Sequence, residues 1–208
     1  KETNAAAKIG LLFKIAQLWA DKKQKLDRAA KAYEKVLELE SANLQAAEAL
    51  IPIYTQAGNA KALANAIEVK LQHEESEDTK LALLREVAGL YEGKVKDPQR
   101  AFERYLSAFE IAPHEEQTTT DMERAAKVTG AWDRVIAAYK TAIEATVSPD
   151  VGVSLRLKLG RVLVEEARNV DEALEVYRAV YDQEPENADA LSAQDPGAVE
   201  TAPQRDDL

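Results

Sequence analysis

Apolar positions along this chain recur with a helical period. Ile9, Leu12, Phe13, Ala16 and Trp19 fall at i, i+3, i+4, i+7 and i+10, which places them on one face of a helix. Leu26, Ala29, Ala30, Tyr33, Val36 and Leu37 keep the same rhythm, as do Leu44, Ala47, Leu50, Ile51 and Tyr54. After Gly58, the set Leu63, Ala66, Ile67 and Leu71 gives a further helix. The pattern then returns in Leu81–Tyr91, Ala101–Ala112, Met122–Thr129 and Val135–Ile143, and again in Leu155–Leu163 and Ala173–Tyr181. No segment alternates with the period of two that marks a half-buried strand, so the pattern predicts an all-α chain.

The helices repeat. A shift of 72 residues overlays the chain on itself without a gap: Leu11, Leu83 and Leu155 align, as do Ala16, Ala88 and Gly160. Ala29, Ala101 and Ala173 align, and so do Tyr33, Tyr105 and Tyr177. Each 72-residue repeat holds four helices, or two helical hairpins. A hairpin cannot bury both faces alone, so stacking on the next one completes its core. The expected architecture is an α-solenoid of stacked antiparallel hairpins occupying residues 1–191. Its repeats span 5–76, 77–148 and an incomplete 149–191, or about 2.7 copies. Residues 192–208 fall outside the register and read as a tail.

Punctuation agrees with these boundaries. Asp97-Pro98 and Ser148-Pro149 each set a capping side chain before a proline at the first helical position, where the missing N–H costs nothing. Asn169 is placed to cap a helix opening at Val170, and Gly58 and Gly130 to end helices in the left-handed conformation. Pro52 falls inside a helical pattern, where it should kink the helix or delay its start. The small residues at 16/88/160 and 29/101/173 are expected where two helices approach most closely, with the tyrosines at 33/105/177 filling the space beside them.

These residues resemble the tetratricopeptide repeat (TPR) family, whose pattern has a small residue late in the first helix, Ala and an aromatic four apart in the second, and Pro in the closing turn. Leu159-Gly160, Ala173, Tyr177 and Pro185 stand in that order. So do Val87-Ala88, Ala101, Tyr105 and Pro113, and Ile15-Ala16, Ala29 and Tyr33 with Ser41 in place of Pro. The step from small residue to Ala is 13, one more than is usual in the family, which implies an insertion in the inter-helix loop. The second hairpin of each repeat is degenerate, with Leu63 and Val135 where the small Ala is expected.

The resemblance implies a non-enzymatic scaffold that binds a partner peptide or protein on a concave face lined by the first helix of each hairpin. Carried onto this chain, that face includes Gln17, Gln45, Glu48, Arg85, Gln117, Arg124, Lys127 and Arg161. Arg85, Arg124, Lys127 and Arg161 form a candidate basic stripe for an acidic peptide, the alternative being solvated charges paired within the chain. The Lys and Asn pattern of chaperone-binding TPRs is not found, which sets a chaperone C-terminus aside. The alternative function is a structural spacer or homo-oligomerisation segment of a longer helical-repeat protein.

Composition narrows the chemistry. With 37 acidic against 27 basic residues the net charge is −10, unfavourable for nucleic acid, which needs a basic surface. There is no Cys and only two His, His73 and His114, which lack a spaced third ligand, so no metal or cofactor is expected. No pocket-forming carboxylate pair or phosphate-binding loop is visible, which argues against an enzyme. No apolar stretch approaches a membrane span, and the chain fits the cytoplasm or, alternatively, the periplasm. It starts at Lys1 rather than Met, so residues upstream are expected. Because a cut solenoid exposes apolar surface at its ends, self-association through the repeat ends is expected as well. The acidic tail is a candidate to pack on the last hairpin or on a neighbouring molecule.

Overall fold

The computed structural model describes residues 2–22, 25–188 and 191. The expected tail, 192–208, lies outside the described residues, and with it the docking expected of that tail. Among the described residues there are ten α-helices and no strand. They are α1 (Glu2–Gln17), α2 (Leu26–Leu39), α3 (Leu44–Ala57), α4 (Ala60–His73), α5 (Glu77–Leu90), α6 (Pro98–Ile111), α7 (Glu116–Thr129), α8 (Trp132–Ala145), α9 (Pro149–Glu165) and α10 (Val170–Gln183). The helices α2, α6 and α10 start at residues 26, 98 and 170, and α3 and α7 at 44 and 116. The chain divides into two compact bodies, Lys1–Ala108 and Phe109–Leu208, with the boundary inside α6.

In the first body α1 packs on α2, α2 on α3, α3 on α4 and α4 on α5. In the second body α7 packs on α8, α8 on α9 and α9 on α10. Each consecutive pair is thus a hairpin or the step between two hairpins. The cores are rich in alanine: Ala16, Ala29, Ala46, Ala47, Ala64, Ala88 and Ala126 are wholly inaccessible to solvent. Small side chains let helix axes approach, and a few large ones, Phe102, Phe109, Tyr91 and Tyr139, fill the space left between them.

The expected caps form. Asp97 Oδ1 accepts from the Arg100 N–H at 3.1 Å, Ser148 Oγ from Val151 at 3.5 Å, and Asn169 Oδ1 from Glu172 at 3.4 Å. Gly58 and Gly130 end α3 and α7 at φ 65° and 71°, where a Cβ would be strained. Pro52 does not delay α3, which begins at Leu44 and runs through it. Asn43 fixes that start by accepting from Ala46 N–H at 2.9 Å, and the exposed Pro52 leaves its lost hydrogen bond on the solvent side.

The extra residue between the small position and Ala does not lengthen a loop in the first two cases. It is taken up inside the helix end, as π-helical turns at Leu18–Lys22 and Tyr91–Val95. A π-turn closes one residue later than an α-turn, so it absorbs one insertion while keeping the helix hydrogen-bonded. In α9 the helix stays α-helical to Glu165. All three junctions then close alike: the N–H of Lys25, Asp97 and Asn169 reaches the carbonyl of Trp19, Tyr91 and Leu163, each at 2.9 Å. Lys96 and Arg168 supply left-handed residues just before the caps, at φ 62° and 56°.

The small residues sit where close approach demands them. A Cβ built on Gly160 would stand 2.6 Å from Cζ of Tyr177, so the α10 tyrosine lies directly on the α9 backbone. In the first body Tyr33 instead meets Phe13 edge to face, with ring centroids 5.7 Å apart, and Ala16 is tolerated. None of the described helices is long and apolar enough to cross a membrane.

Candidate functional site

The residues expected on the binding face all lie on first helices of hairpins. In the first body these are Gln17 at the end of α1, Gln45 and Glu48 on α3, and Arg85 on α5. Gln17, Gln45 and Glu48 are exposed and Arg85 is half-buried. In the second body Gln117, Arg124 and Lys127 share α7, and Arg161 projects from α9; all four are exposed. On α7 and α9, Gln117, Arg124, Lys127 and Arg161 lie on the helix side away from the buried residues Met122, Ala125, Leu159 and Leu163.

Several of these charges are already engaged. Arg161 makes two hydrogen bonds to Glu123 of α7, Nη2 to Oε1 at 2.8 Å and to Oε2 at 2.6 Å, and lies 3.6 Å from Glu165 one turn on. Arg124 pairs with Asp121 at 2.8 Å across one turn of α7. Glu48 stands 4.0 Å from Lys70. Arg124 and Arg161 of the second body are thus set among carboxylates.

Glu123 is the centre of that arrangement. Besides Arg161 it accepts a hydrogen bond from the Tyr139 hydroxyl at 2.5 Å, so one carboxylate joins α7, α8 and α9. Its side chain is only 15% exposed against 45% for Arg161, so the pair is half-desolvated. The Tyr139 ring is fully buried and meets Phe109 edge to face at 5.2 Å. Burial first, then the adjacent Glu123 charge, pushes the Tyr139 hydroxyl well above the ordinary tyrosine range. Burial alone would lower the Arg161 pKa, but its hydrogen bond and attraction to Glu123 more than reverse that.

A second polar link runs beside it. Lys158 of α9 donates to Glu116 Oε2 at 2.7 Å and reaches Thr119 Oγ1 at 3.4 Å. The first body holds a parallel set on Glu68 of α4, which accepts from Tyr91 at 3.2 Å and from Arg104 of α6 at 2.7 Å. Tyr54 donates to Glu34 at 2.7 Å, and Tyr105 to Glu92 at 3.0 Å. Every one of these hydroxyl–carboxylate bonds crosses between helices, because tyrosines at packing positions leave their polar tips at the rim.

Glu123, Lys158 and Glu116 were not anticipated from the sequence. Their pairings join residues 38 and 42 positions apart, a separation that helical periodicity does not reach. A shallow groove of about 270 Å³ also opens among α8, α9 and α10, with Ile143, Leu159 and Val176 among its lining residues. Arg156 lines it at the position where α5 carries the buried Leu84, and the Lys140–Glu172 ion pair, 2.5 Å, closes one side. Among the described residues no group of His, Cys, Asp and Glu is arranged to hold a metal ion.

No family model matches the chain, and no curated protein matches it. Among solved structures, it is similar to the MamA protein at 17% identity, covering 86% of this chain and 93% of that one, with a TM-score of 0.38. It is similar to YrrB, described as a TPR protein with an unusual peptide-binding site, at 20% identity, 88% and 89% coverage, and a TM-score of 0.38. A third is TTC0263, a thermophilic TPR protein in Thermus thermophilus, at 17% identity, 90% and 95% coverage, and a TM-score of 0.36.

Proposed function

We propose that this chain is a non-enzymatic protein-interaction scaffold built from 72-residue double-hairpin repeats. It binds a partner peptide or protein on the face presented by the first helices of its hairpins. The period is supported by equal spacing of helix starts and by the three junctions that close with the same hydrogen bond. The observation that carries the binding face is the fixed polar layer on α7 and α9. Arg161 and Lys158 are held by Glu123 and Glu116, while Gln117, Arg124 and Lys127 stay exposed beside them. Groups ordered in advance lose little freedom on binding, so a few polar anchors suffice for specificity.

The occupant that fits is an extended or helical peptide carrying carboxylates, which would add to the exposed guanidinium groups of Arg124 and Arg161 while Asp121 and Glu123 keep holding them. Lys127 adds a cation at the edge of that layer. The test is a randomised peptide library selected on the full chain and on an Arg124→Glu/Lys127→Glu/Arg161→Glu variant. Enrichment of acidic peptides by the parent chain and its loss in the variant is the expected result. The same enriched peptides from both proteins would overturn the assignment of this face.

A further inference from the structure

The groove among α8, α9 and α10 lies where the repeat breaks its own pattern. In the first body the corresponding place, 72 residues earlier, is bridged from within. Glu68 of α4 accepts from Arg104 of α6 at 2.7 Å and from Tyr91 at 3.2 Å, and Leu84 is buried. In the second body Lys140, Val176 and Leu163 stand at the positions of Glu68, Arg104 and Tyr91, and Arg156 at that of Leu84. The bridge cannot form with these residues. Lys140 pairs instead with Glu172, at 2.5 Å, and leaves Ile143, Leu159, Val176 and Ala179 lining the gap. Each set of residues belongs to one body, so the opening comes from these replacements rather than from a missing neighbouring helix.

Arg156 is the unusual member of the groove. It is half-buried, and among the described residues its guanidinium makes no hydrogen bond and no ion pair. The side chain folds back along α9, with Nη1 only 3.0 Å from where a Cβ on Gly152 would stand. The other copies carry Lys8 and Lys80 at that position, so Gly152 clears a bed for the guanidinium one turn before it. Leu to Arg and Lys to Gly are therefore coordinated replacements. A guanidinium has donors only, and a carboxylate is the acceptor that matches its fork. Glu144 and Glu175 also line the groove; both are exposed and beyond ion-pair distance of Arg156. They disfavour a ligand that carries negative charge alone and suit one that also brings a cation.

We propose that this groove binds a peptide segment of a partner protein in which an aliphatic side chain is flanked by one carboxylate and one cation. The aliphatic group packs on Ile143, Leu159 and Val176, the carboxylate bonds Arg156, and the cation lies toward Glu144 and Glu175. At about 270 Å³ the groove falls below the roughly 300–1,000 Å³ of small-molecule pockets, which suits a side chain rather than a whole cofactor. Its balanced charge separates this occupant from the acidic peptide proposed for the first helices, and the inference does not rest on that face.

The experiment selects on the full chain from an end-blocked peptide pool, with a central Leu or Ile flanked in all orders by one Glu and one Lys among Gly and Ser. The strongest member is then titrated. The expected result is saturable amide shifts at Ile143, Arg156 and Val176. Arg156→Leu installs the residue that α5 carries, and should weaken binding about 10-fold or more with unchanged helical circular dichroism. Lys140→Glu/Val176→Arg recreates the Glu68–Arg104 pair and should abolish binding. The Arg124→Glu/Lys127→Glu/Arg161→Glu variant should bind like the parent chain. No enriched peptide, equal affinity for Arg156→Leu, or loss of binding in the first-helix variant would overturn the proposal. Binding seen only after removal of residues 192–208 would also overturn it, by making that segment the occupant.

Discussion

Glu123→Ala is the most informative single change to the second body. It removes the one carboxylate that joins α7, α8 and α9 through Tyr139 and Arg161. The hydroxyl it deserts belongs to a side chain with no solvent exposure, and leaving such a donor unpaired costs about 1–3 kcal/mol. Arg161 is 45% exposed and solvent screens it, so its lost pairing adds no more than about 1 kcal/mol. The better helix propensity of Ala returns a few tenths, roughly 0.4 kcal/mol. The net expectation is a loss of about 2 kcal/mol, a sizeable share of the roughly 5–15 kcal/mol that holds a domain together.

Urea denaturation followed by circular dichroism measures it, and Tyr139→Phe completes a double-mutant cycle. In the Tyr139→Phe background there is no hydroxyl left to desert. Glu123→Ala should then cost about 1 kcal/mol less than in the parent chain. Strict additivity, or a Glu123→Ala protein within about 0.5 kcal/mol of the parent, would refute the claim that Glu123 ties the three helices.

Three further outcomes follow from the same packing. Gly160→Ala should destabilise by about 1–2 kcal/mol despite its better helix propensity, because the new Cβ meets the Tyr177 ring at 2.6 Å. The matched change Gly89→Ala meets nothing within 4 Å and should stabilise by up to about 1 kcal/mol, so equal thermal shifts for the two would contradict the close approach. Gly58→Ala and Gly130→Ala each force a left-handed alanine and should lower stability by about 1 kcal/mol, read from thermal melts. Burial raises the Tyr33, Tyr54, Tyr91 and Tyr139 hydroxyls above the ordinary value of 10.0. The folded chain therefore holds protons that the unfolded chain gives up, and stability, full below pH 10, falls as pH rises beyond it. Tyr139→Phe should flatten that decline; an unchanged alkaline profile would count against the buried hydroxyl.

The helices, their caps and the left-handed glycines were legible in the sequence because they are local. A capping side chain acts within three residues, and an apolar stripe repeats every turn. Gly160 beside Tyr177 was legible too, since the repeat set the small residue and the aromatic in phase. The π-helical turns were not. A one-residue excess between Ala16 and Ala29 can enter a loop or a helix, and only the hydrogen bonds decide. The role of Glu123 was hidden for a related reason. Among 37 acidic residues nothing local separates it from its neighbours, and its value comes from Tyr139 and Arg161, which the fold carries to it. Arg124 and Arg161 were legible as basic positions, but not their pairing with Asp121 and Glu123.

Amide chemical-shift mapping of the full chain, titrated with an acidic peptide from the selection, tests the central claim most directly. Binding on the first-helix face predicts saturable shifts at Gln117, Arg124, Lys127 and Arg161, with the Arg161–Glu123 pair kept. Shifts confined to the second helices, α8 and α10, would contradict it.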